Sequence, residues 1–72
     1  MKVEDKVKIC QALARTLRLT RQYEDLIRLE YQRGETTDRE TVYAVFKGGV
    51  TAINVSMDSG AAMIRDIMRG LL

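Results

Sequence analysis

Apolar residues recur along this chain with two different periods, and the changes of period mark its elements. Over residues 3–19, Val3, Val7, Cys10, Leu13, Ala14 and Leu17 fall on one side of a helical wheel, with Glu4, Lys8, Gln11, Arg15 and Arg18 on the other. That spacing predicts an amphipathic helix. Its charges agree with the helix dipole: Glu4 and Asp5 sit near the positive end, Arg15 and Arg18 near the negative end, and Glu4 precedes Lys8 by one turn. The helical stripe lapses over residues 19–22. Beyond Tyr23, Leu26, Arg28, Glu30 and Gln32 alternate with Ile27, Leu29 and Tyr31. This predicts a strand whose apolar face holds Ile27, Leu29 and Tyr31, and whose other face places Leu26 beside charged residues. A helix through residues 27–31 is the competing assignment, because nothing in that stretch forbids it.

Residues 33–39 are polar and highly charged and contain Gly34, which predicts an exposed hairpin loop. The segment TVYAVFK over residues 41–47 is β-branched and aromatic, with apolar side chains at Val42, Ala44 and Phe46 and also at Tyr43 and Val45, so both of its faces need cover. Gly48 and Gly49 follow, two residues free to adopt positive φ, and predict a tight hairpin. Next, Thr51, Ile53 and Val55 alternate with Val50, Ala52, Asn54 and Ser56, the pattern of a third strand. After Ser56 the period becomes helical: Met63, Ile64, Ile67, Met68 and Leu71 share one side, and Ala62, Arg65, Asp66 and Arg69 the other. Between strand and helix, Ser56 or Asp58 is the expected N-cap, since a short oxygen side chain accepts from the unpaired N–H groups of the first turn. Gly60 is expected to let this helix lie close to the sheet.

Joined in order, these elements predict an α+β fold of αβββα order: a three-stranded antiparallel meander with two helices packed on one face. In a meander the middle strand is central, and it is the middle strand that is apolar on both faces. With 72 residues the whole span, 1–72, reads as one domain of marginal stability as a monomer, for which association with a second copy is a natural supplement.

Composition narrows the function. A single cysteine and no histidine exclude a disulfide framework and the usual structural zinc sites. Cys10 lies in mid-stripe and reads as a small core residue. No base for nucleophilic catalysis, no nucleophile turn and no phosphate loop with a lysine is present, and the acids fall mostly at element ends, so neither catalytic residues nor a cofactor or metal site is expected. An anion site at the last helix is opposed by Asp58, whose carboxylate occupies the positive end of the dipole. No apolar run reaches the roughly 18 residues of a membrane span, and the early acids of MKVEDKVK do not resemble a signal peptide. The expected setting is the cytoplasm.

The net charge of +2 is uneven: residues 1–22 carry six Lys/Arg against two acids. Lys8, Arg15 and Arg18 form a basic stripe on the first helix, which makes nucleic acid the alternative partner. The element order and length also resemble the double-stranded-RNA-binding domain. That resemblance implies phosphate contacts from a lysine-rich start of the second helix, but residues 57–62 here carry Asp58 and no base. The stretch INVSMDSGAAMIRDIM, with Cys10-Gln11-Ala12-Leu13-Ala14-Arg15, resembles small bacterial proteins of phage-like or other mobile elements, which implies no particular site residue.

The function expected from these features is that of a small non-enzymatic assembly module, a homodimer or partner of another protein. Helices on one side of the sheet leave the other side of the central strand open, either Tyr43 and Val45 or Val42, Ala44 and Phe46. The expected association face is Tyr43 and Val45 extended by Leu26 and Ala52, with the sheet edges as a further route.

Overall fold

A computed structural model describes residues 2–34, 39–55 and 59–72. Helix α1 spans Val3–Leu17, a single 3-10 turn covers Arg21–Tyr23, strands β1, β2 and β3 span Leu26–Arg33, Glu40–Phe46 and Gly49–Val55, and helix α2 spans Gly60–Leu71. The sheet is antiparallel in the order β1-β2-β3. The expected αβββα arrangement is therefore present. Most of the expected loop over residues 33–39, and the expected caps Ser56 and Asp58, lie outside the described residues.

Helix α1 stops at Leu17, the last residue of its apolar stripe, where Thr20 turns back on it: its hydroxyl donates to the Leu17 carbonyl oxygen at 2.6 Å and its amide to the same oxygen at 2.9 Å. Tyr23, in the 3-10 turn, is buried and donates its hydroxyl to the Leu71 carbonyl at 3.4 Å, tying the connection to the far end of α2. At the other end of α2, Ser59 is the N-cap, its hydroxyl oxygen accepting from the Ala62 amide at 3.1 Å.

Both helices cover the same sheet face. Lys6 of α1 reaches Glu40 and Tyr31, and Gly70 of α2 lies against Ile53. The core between the layers comprises Cys10, Ala14 and Leu17 of α1, Tyr23, Leu26, Leu29, Val42, Ala44, Ile53 and Val55, and Met63 and Ile67 of α2. Ile64 is 40% exposed, so the buried seam of α2 is narrower than its apolar stripe. Gly70 marks a close approach of α2 to the sheet: a Cβ there would lie 2.6 Å from Ile53 Cγ2 and 2.7 Å from Cγ1.

Two local features depart from the alternating pattern. The β1–β2 register shifts between Leu26 and Arg28, because Leu26 pairs with Phe46 and Arg28 with Val45, leaving Ile27 as the extra residue of a β-bulge. The bulge turns Leu26 into the core at 2% exposure and leaves Ile27 45% exposed. The β2–β3 hairpin turns tightly, as expected, through Lys47 and Gly48 between the Phe46–Gly49 pair, yet neither glycine has positive φ. The glycines' conformational freedom is therefore unused here.

Candidate interaction surface

The pleat sends successive side chains of each strand to opposite faces, so the register defines the face that the helices leave uncovered. Across it run the rows Arg28–Val45–Val50, Glu30–Tyr43–Ala52 and Gln32–Thr41–Asn54. Tyr43 and Val45 on the central strand are half-buried by their strand neighbours alone, whereas Val50 is 62% exposed and Ala52 is also exposed. Four apolar side chains thus adjoin in the two rows nearer the β2–β3 turn. The third row is polar. The β1 side is closed by a charged ladder in which Arg28 Nε lies 3.5 Å from Glu30 Oε2 and Gln32 donates to Glu30 Oε1 at 3.3 Å.

Of the four expected association residues, the structure brings Tyr43, Val45 and Ala52 together and removes Leu26. Strict alternation placed Leu26 on the outer face. The bulge at Ile27 reverses its direction, and it packs in the core instead. Val50 takes its place in the patch. Period-2 counting from Ala52 identifies Val50, but no periodicity reports a bulge.

The basic stripe on α1 does not act as one unit. Lys8, Arg15 and Arg18 are all exposed, but Arg18 bends toward the sheet and donates from Nη1 to the Ile27 carbonyl at 2.6 Å. The guanidinium supplies that main-chain oxygen with a partner at the edge of the sheet. Two cations remain to face a polyanion, with Glu4 on the same side of the wheel.

A partly buried polar cluster lies on the covered face, where α1 meets the first residue of β2. Lys6 hydrogen-bonds and ion-pairs with Glu40, Tyr31 donates to the same Glu40 Oε1 at 2.5 Å, and Lys6 Nζ lies 3.5 Å from the Tyr31 hydroxyl and 5.4 Å from its ring centre. The Lys6 and Glu40 side chains are only 9% and 12% exposed. The Glu40 hydrogen bond raises the Lys6 pKa against the opposing effect of burial, with Tyr31 adding to the rise. Burial pushes Glu40 up, but the hydrogen bonds from Lys6 and Tyr31 and the charges of Lys6 and Arg33 outweigh it and hold the carboxyl below its ordinary value. Tyr31 is raised, first by burial and then by its bond to the Glu40 carboxylate. The cluster stabilises charge on Lys6 and Glu40 alike, which suits a structural ion pair and works against proton transfer between them.

Glu40 therefore departs from the expectation that acids at element ends are solvated, and Lys6 is a charged residue within the apolar stripe of α1. It lies three residues after Val3 and four before Cys10, on the apolar side of the wheel. Cys10 itself is 1% exposed, and burial pushes its thiol up to about 11. That is the environment of a packing residue rather than a nucleophile.

On the outer surface of the helix layer, Ile9, Ala12, Leu13, Thr16 and Ile64 line a shallow, almost wholly apolar groove of about 250 Å³. It holds no converging charged groups. Among the described residues, no three His, Cys, Asp or Glu side chains cluster as metal ligands would, and no helix is long and apolar enough to cross a membrane. Comparison with protein-family models, curated proteins and solved structures returned no match.

Proposed function

We propose that this protein is a non-enzymatic cytoplasmic assembly module that associates with further copies of itself through the uncovered face of its sheet. The observation that carries this reading is the central strand: Tyr43 and Val45 project from the side of β2 that bears no helix, with Val50 and Ala52 beside them on β3. A fully buried valine contributes about 1.5–3 kcal/mol relative to an exposed one, and a domain of this size has little core to spare. A second copy laid against the patch supplies the cover that the chain itself does not.

Sedimentation velocity at micromolar concentration tests this reading. The unmodified protein is expected to sediment as an oligomer, and Tyr43→Lys to reduce its mass while leaving the far-ultraviolet circular dichroism unchanged. A monomeric wild-type protein, or a Tyr43→Lys mass equal to wild type, refutes it. Binding of nucleic acid through α1 has less support, because Arg18 is engaged with β1. That reading requires salt-dependent retention of RNA or DNA that Lys8→Glu with Arg15→Glu abolishes.

A further inference from the structure

The sheet has two edges, and the structure treats them differently. Along β1, Arg18 occupies the Ile27 carbonyl, the bulge breaks the regular ladder, and Arg28, Glu30 and Arg33 place charge on the strand. Each is a device that blocks strand addition. Along β3, Gly49–Val55 carries no charged residue, proline or register shift, and among the described residues no hydrogen bond from outside the sheet reaches its backbone. Every second residue of an edge strand turns its N–H and C=O outward, so β3 offers a regular row of unpaired groups.

We infer that β3 pairs antiparallel with β3 of a second copy, joining two sheets into one of six strands. The inference extends the proposed self-association and rests on it for what covers the outer face. Three considerations select a second copy of this chain. Pairing β3 with β3 opposes no like charges in any register, whereas β1 with β1 brings charged residues together. Pairing β3 with β1 of another copy, which would propagate into an open filament, meets the blocked edge. Two-fold β3 pairing consumes both open edges and leaves only the two protected β1 edges at its ends, so the assembly closes.

Area points the same way. Three strands at about 4.8 Å spacing and seven residues at about 3.3 Å each give an outer face of about 14 by 23 Å. That is well short of the roughly 800 Å² per partner of a stable interface. Antiparallel joining about a two-fold normal to the sheet puts both outer faces on one side and doubles the area to about 640 Å², much nearer that threshold. Two such six-stranded sheets stacked by their outer faces make a tetramer.

Two substitutions separate the contacts. Thr51 is exposed on β3 but projects toward the helix side, so Thr51→Lys charges the edge without touching the outer patch. Tyr43→Lys charges the patch and leaves the edge intact. The expected masses are tetramer for wild type, dimer for either single variant and monomer for the double variant. If wild type is a dimer, Tyr43→Lys makes it a monomer and Thr51→Lys changes nothing, the edge inference is overturned while the face reading stands. If Thr51→Lys alone yields monomer and Tyr43→Lys changes nothing, edge pairing stands and face association fails. A monomeric wild type overturns both. Should Thr51→Lys not fold, hydrogen exchange of Tyr43→Lys decides: the β3 amides must gain protection with protein concentration, and concentration-independent exchange overturns edge pairing.

Discussion

Removing Lys6 should destabilise this protein more than removing any other charged side chain described here. Lys6→Met keeps most of the aliphatic stem but leaves the Glu40 carboxylate, 12% exposed, with the Tyr31 hydroxyl and the more distant charge of Arg33. An exposed ion pair is worth about 0–1 kcal/mol, whereas breaking a buried one costs about 3–5 kcal/mol because the remaining charge stays desolvated. Side chains only 9% and 12% exposed place this part-buried pair nearer the second class than the first. For 72 residues at about 0.05–0.15 kcal/mol each, total stability is about 4–11 kcal/mol, so roughly a quarter or more is at stake. Urea unfolding followed by circular dichroism measures the loss. The triple variant Lys6→Met, Tyr31→Phe, Glu40→Leu removes every member of the cluster together and should recover most of it. A loss below about 1 kcal/mol for Lys6→Met would show that the pair is solvated in the manner of a surface bridge.

The same pair fixes the pH dependence. Lys6 has a raised pKa, so its contribution is complete below the ordinary lysine value of 10.5 and is lost as pH rises through the higher folded value. Glu40 has a lowered pKa, so its contribution is present above the ordinary carboxylate value of 4.5 and is lost as pH falls through the lower folded value. Stability should hold level between these limits and fall on both sides, and the triple variant should flatten both limbs.

The glycines give two contrasting predictions. Gly70→Ala gains less than the about 1 kcal/mol of helix propensity available in a helix interior, because Gly70 lies in the last turn of α2, while its Cβ meets the branched carbons of Ile53 at 2.6 and 2.7 Å, and overpacking costs about 1–3 kcal/mol. It should therefore lower stability on its own and do less harm in an Ile53→Ala background; additive effects in a double-mutant cycle would refute the contact. Gly49→Ala meets nothing within 4 Å and has no positive φ to lose. It should raise stability by about 0.4–1 kcal/mol through the unfolded chain, and a lower melting temperature would contradict the turn geometry described.

Some of this protein was legible from residue order alone because the signals are local. Period 3.6 and period 2 marked both helices and all three strands, and a strand apolar on both faces had to be central, as β2 is. Tyr43, Val45 and Ala52 could be assigned to one face because alternation is obeyed strictly through β2 and β3. What remained hidden depends on residues distant in sequence. The bulge at Ile27 reflects how β1 is accommodated against β2 and the helix layer, and it alone moved Leu26 from the surface to the core. Lys6 and Glu40 are 34 positions apart, so each looked like an ordinary surface charge until the fold buried them together. Arg18 belongs to a basic stripe by spacing, and only the fold brings the Ile27 carbonyl within its reach. The sequence determined which elements form and which faces are apolar, because side-chain periodicity is set by backbone geometry. Only the tertiary structure decided which charges are buried, which edge is closed and which apolar face is left without cover, because those depend on packing between segments that local pattern does not record.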